Sequence, residues 1–91
     1  MLVEEQVGYG SGIRWHLAHS LPASDVEHAM ELARYAAFNH VPTNPRVPKH
    51  RAVFRSADGS WLVNVQGVTM AFHFRVSIAE FFGSYAGNPS A

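Results

Sequence analysis

His73 and Arg75 stand two residues apart in an alternating segment, so on a strand they share a face, and Asn64 and Arg55 fall in phase on neighbouring segments. Guanidinium groups beside an imidazole and an amide make a donor set for a phosphate or carboxylate through charge-assisted hydrogen bonds. A histidine there could also act as a general base. Arg14 and His16 join the set if their strand lies beside that of His73. No carboxylate is expected on the face to orient an imidazole, which points to binding rather than catalysis, and one-sided antiparallel sheets expose a polar face in any case.

The other candidates disperse. There are six histidines, but His16 and His19 point to opposite faces of an unbroken strand, His28 lies on an acidic helix face, and His40 suits a helix C-terminus, where an imidazolium favours the dipole. No zinc site is expected from them, and the lack of cysteine excludes thiolate ligands and disulfides. Arg46, Lys49, His50, Arg51 and Arg55 follow His40 in a basic run with no acid between residues 32 and 57. Such a run suits an anionic partner. Its one aromatic residue, Phe54, is assigned to the core, so no stacking platform for bases is indicated.

Two turns set the elements that would position these residues. Asp58-Gly59 favours a two-residue type I′ hairpin pairing Ser56 with Trp61, Phe54 with Val63 and Ala52 with Val65. Gln66-Gly67 closes a second hairpin pairing Val65 with Val68, Val63 with Met70 and Trp61 with Phe72. One face then carries Ala52, Phe54, Trp61, Val63, Val65, Met70, Phe72 and Phe74. The other carries Arg55, Asn64, Thr69, His73 and Arg75, broken by Val53, Leu62 and Ala71. Upstream, alternation from Ile13 to Leu21 marks a first strand. Ser24-Asp25-Val26-Glu27 has capping-box spacing for a helix that begins at Asp25 and ends near Asn39-His40, burying Val26, Ala29, Met30, Ala33, Ala36 and Ala37. Pro42, Pro45 and Pro48 recur at the polyproline II period and read as a stiff crossover whose edge could also meet a partner. Ser77-Ile78-Ala79-Glu80 repeats the capping spacing and predicts a short second helix ending at Gly83.

The expected fold is therefore α+β, in the order β-α-β-β-β-α, with a four-stranded, mostly antiparallel sheet under one main helix. Residues 1–12 are expected as a flexible lead-in, 13–83 as a single domain and 84–91 as a tail. In outline this order resembles the double-stranded-RNA-binding fold and small ribonuclease toxins. The chain departs from the first group where RNA binding is carried, since its helix opens with Asp25 and Glu27 instead of a basic start.

Composition bounds the function. The 91 residues suffice for one core, and with 47% apolar and 15% charged residues the chain is globular with a thinly charged surface. Seven basic and seven acidic residues cancel, a poor basis for bulk nucleic-acid or membrane binding. Residues 1–33 carry a balance of −4 and residues 34–91 one of +4, an arrangement that suits head-to-tail homo-oligomers. The N-terminus, with Glu4 and Glu5, lacks the pattern of a signal peptide, and no stretch has the length of a membrane span, so a cytoplasmic place is expected. These features fit a small non-enzymatic interaction module, regulatory, inhibitory or immunity-like, that binds a protein partner or its own copy and needs no cofactor or metal. The alternative is a nucleic-acid-binding or RNA-cleaving domain using the 46–55 segment and the His73/Arg75 face.

Overall fold

A computed structural model describes residues 1–8 and 12–87. The elements run β1 (Leu2–Val7), β2 (Arg14–Ser20), α1 (Val26–Asn39), β3 (His50–Arg55), β4 (Trp61–Gln66) and β5 (Ala71–Ser77). The five strands form one sheet in the order β2-β1-β5-β4-β3, with every neighbouring pair antiparallel. The fold is α+β, with one more strand than expected and, among the described residues, no second helix.

The additional strand lies within the segment 1–12 expected as a flexible lead-in, of which residues 9–11 lie outside the described residues. Met1, Val3 and Glu5 are buried on the helix side, while β1 lies between β2 and β5 and pairs with both. An acid at an inward position disguised its alternation. After β5, the chain from Ile78 to Gly83 has no regular structure. The expected cap residue, Ser77, is instead the last residue of β5, paired with Leu2. The end of the expected tail, residues 88–91, lies outside the described residues.

Helix α1 starts one residue later than the capping box implied. Asp25 is its N-cap and accepts from the His28 backbone N–H at 2.8 Å, while Ser24 N–H donates to His28 Nδ1 at 3.0 Å. Ala29, Ala33, Ala36 and Ala37 are the buried residues of the helix, and their small side chains let it lie close on the sheet. Val26 and Met30, expected in the core, are 68% and 46% exposed. The core joins Ala33, Ala36 and Ala37 to Val3, Val63, Val65, Phe74 and Val76, with Leu32, Val53 and Trp61 packed against it.

Both hairpins differ in register from the expected ones, with different consequences. In the first, Gly59 N–H donates to Ser56 O at 2.9 Å and Ser56 N–H to Ser60 O at 2.8 Å, while Gly59 adopts φ +90°. This is a three-residue loop with a glycine bulge rather than a two-residue type I′ turn. Asp58 supports it by accepting from the Ser60 backbone at 2.9 Å and from the Ser60 hydroxyl at 2.6 Å. The one-residue slip turns β3 over: Val53 pairs with Val63 and Arg55 with Trp61, so Ala52 and Phe54 leave the core face. In the second hairpin the slip is even. Val63 pairs with Phe74 and Val65 with Phe72, which keeps the faces of β4 and β5 but leaves Met70 in the turn, 44% exposed.

The proline segment does not present one edge. Pro42 and Pro45 are buried, Pro48 is exposed, and the Asn44–Pro45 peptide is cis. Pro45 packs on Gly67, where an added Cβ would stand 2.6 Å from Pro45 Cβ and 3.2 Å from Met70 O. Gly67→Ala is therefore expected to destabilise the fold by about 1–3 kcal/mol through overpacking. Chemical denaturation checks this, and an unchanged midpoint would show that the proline loop does not rest on the turn.

Candidate interaction surface

A polar cluster sits on the helix side, where α1 ends. Glu5 is 5% exposed and accepts from His40 Nε2 at 2.7 Å and from the Thr43 backbone N–H at 3.1 Å. The His40 ring meets Phe74 edge-on at 4.9 Å and His19 at 5.3 Å. Arg51 donates to Ala37 O at 3.0 Å and also to His40 O, satisfying carbonyls that every helix C-terminus leaves open. Its guanidinium lies 5.4 Å from the centre of the Phe74 ring. Burial opposes ionisation of Glu5, but the hydrogen bonds from His40 and Thr43 outweigh it and hold the carboxyl below its ordinary value of 4.5. The ionised carboxylate accepts only, so His40 Nε2 carries the proton in this bond.

A carboxylate that orients an imidazole is half of a general-base arrangement. Here both side chains are largely enclosed, at 6% and 11% exposure, and the pair ties β1 to the helix end and the proline loop. The β2 register shifts between Val3 and Glu4, leaving Ala18 unpaired. This bulge puts His16 and His19 on the same side of the sheet, contrary to the expected opposition. Even so, no group of three or more His, Asp or Glu side chains among the described residues could hold a metal ion.

The opposite, open face is read in cross-strand rows. One runs Leu17, Glu4, Arg75, Leu62, Phe54. Beside it Trp15 is opposite Gln6, while His73, Asn64 and Ala52 are opposite one another, and the Gln6 Oε1 accepts from the His73 backbone N–H at 3.2 Å. Arg75 donates to Glu4 through Nε at 3.0 Å and Nη2 at 3.3 Å, and its guanidinium lies 4.1 Å from the centre of the Trp15 ring. The face thus has a fixed ion pair at its middle and apolar residues at its rims. Leu17 is 53% and Phe54 56% exposed. Asn64 Oδ1 is buried there with no hydrogen-bond partner among the described residues.

The expected cationic set does not assemble. Asn64, His73 and Arg75 do share the open face, but Glu4 neutralises Arg75 and supplies the carboxylate thought to be missing. Arg55 is on the helix side, 4.9 Å from the centre of the Trp61 ring, and the pairing of Arg14 with Val7 and His16 with Glu5 puts both on that side too. Arg51 caps the helix, while Arg46 and Lys49 are exposed on the proline loop. Glu4, Gln6, Trp15, Leu17 and Phe54 also belong to the open face, beyond the residues expected there. The alternation of Trp15 and Leu17 was visible, but their side of the sheet depended on the strand at residues 2–7. No protein-family model matches the chain, and no curated protein or solved structure is significantly similar to it. No helix among the described residues is long and apolar enough to cross a membrane.

Proposed function

We propose that this protein is a non-enzymatic interaction module, regulatory, inhibitory or immunity-like in kind, whose open sheet face docks a protein partner. The observation that carries the reading is the row from Leu17 to Phe54, with apolar ends and the Glu4–Arg75 pair braced on Trp15 between them. Tryptophan and arginine are among the residue types that dominate binding energy at protein interfaces, and phenylalanine is enriched there. Strands hold them in place, so little ordering entropy is lost on docking. Arg75 is neutralised by Glu4, Arg51 is committed to the helix end, and the chain has no net positive charge, which favours a protein over a nucleic acid. A cytoplasmic place fits the same reading.

The test is cross-linked capture from cells of the source organism, comparing the wild-type chain with Leu17→Glu/Phe54→Glu. Both positions are more than half exposed, so the double variant should fold. Placing two carboxylates in an apolar contact should reduce capture of a specific partner by more than about tenfold. Equal recovery of the same proteins by both chains would place the contact elsewhere.

A further inference from the structure

The segment after β5 exposes three aromatic side chains within five residues. Phe81, Phe82 and Tyr85 are 81%, 89% and 82% exposed on a stretch without regular structure. Beside its root opens a groove of about 800 Å³, walled by Leu2, Leu21, Val26 and Ala29, with Ile78 and Phe81 along one side and the Asp25 and Glu80 carboxylates among its lining. The segment stands at the rim of this groove, and its last aromatics extend into solvent.

We propose that Phe81, Phe82 and Tyr85 dock in the groove of a second copy, so that two chains exchange C-terminal arms about a two-fold axis. Two observations select a second copy as the occupant. Arm and groove adjoin in one chain, so a single two-fold operation satisfies both arms and closes the assembly. Phe81 already forms part of the wall, so Phe82 and Tyr85 of two chains, at roughly 150–250 Å² per aromatic side chain, bury on the order of 600–1,000 Å² and cover about as much of the groove walls. That reaches the range of stable interfaces, about 1,200–2,000 Å². The arm surface is separate from the Leu17–Phe54 row and does not rest on the reading of that row.

Sedimentation of the purified full chain at concentrations from about 1 to 100 μM tests the exchange, and the midpoint gives the affinity. The expected result is a species of twice 10.1 kDa. Phe81→Ser/Phe82→Ser/Tyr85→Ser on the arm and Leu21→Glu/Val26→Glu in the groove should each weaken it by at least about tenfold. Circular dichroism of each variant would confirm that the monomer still folds. A wild-type monomer at all concentrations would overturn the proposal in favour of an arm folded on its own chain or held for another protein. A dimer insensitive to either set of substitutions would also overturn it, and one lost only in Leu17→Glu/Phe54→Glu would put the two-fold axis on the open sheet face.

Discussion

Replacing Phe74 by alanine is expected to cost about 3–5 kcal/mol, the range for deleting a buried aromatic ring. Phe74 is fully buried on the central strand β5, opposite Val63 on one side and Glu5 on the other. Its ring also meets the His40 edge at 4.9 Å and the Arg51 guanidinium at 5.4 Å, so the cavity would loosen the groups that close the helix end. A domain of this length has roughly 5–13 kcal/mol of stability in all. Phe54→Ala, at a position 56% exposed, should cost less than about 1 kcal/mol. Urea denaturation of the two variants reads the β3 register directly. A larger loss at Phe54 than at Phe74 would restore the two-residue hairpin and put Phe54 back in the core.

Replacing Glu5 by glutamine should cost about 2–3 kcal/mol near neutral pH. The amide keeps one acceptor oxygen, so of the enclosed His40 Nε2–H and the Thr43 N–H one loses its acceptor and faces an amide N–H instead, and a buried donor left unsatisfied is penalised on this scale. The pH dependence follows from the sign of the shift. Because the folded carboxyl lies below its ordinary value of 4.5, its contribution is fully present above pH 4.5 and is lost as pH falls through the folded value. Urea unfolding of wild type and Glu5→Gln at pH 7 and pH 3 should therefore show a gap at pH 7 that narrows in acid. A gap that widens toward pH 3 would mean that the carboxyl is held protonated, with burial stronger than its hydrogen bonds.

These two residues also show how far the sequence could be read. The inward faces of β4 and β5 follow from plain alternation, and any register error by an even number of residues preserves them, which is why Val63, Val65, Phe72 and Phe74 were recognisable. The capping residues and alanine spacing located α1 to within a residue. Strand β3 was inverted because Asp58-Gly59 serves equally well in a two-residue turn and in a three-residue turn with a glycine bulge. Arg51 and Arg55 at inward positions made the wrong choice look apolar-in and polar-out. Each arginine has a partner that only the tertiary structure supplies: the helix carbonyls for Arg51 and the Trp61 ring for Arg55. Strand β1 was hidden for the same reason, since Glu5 is an inward residue whose partners lie 35 and 38 positions away. Losing β1 also lost Glu4, and with it the recognition that Arg75 is neutralised. The bulge at Ala18, which brings His16 and His19 to one side, has no local signal in the residues around it.

The proposed role of the open sheet face is tested most directly by a photo-cross-linking residue placed at position 17, with the same residue at position 31 on the exposed outer side of α1 as the comparison. In cells of the source organism, the expected result is one discrete heterologous adduct from position 17 and none from position 31. No adduct from position 17, or the same adducts from both positions, would contradict the assignment of that face as the docking surface.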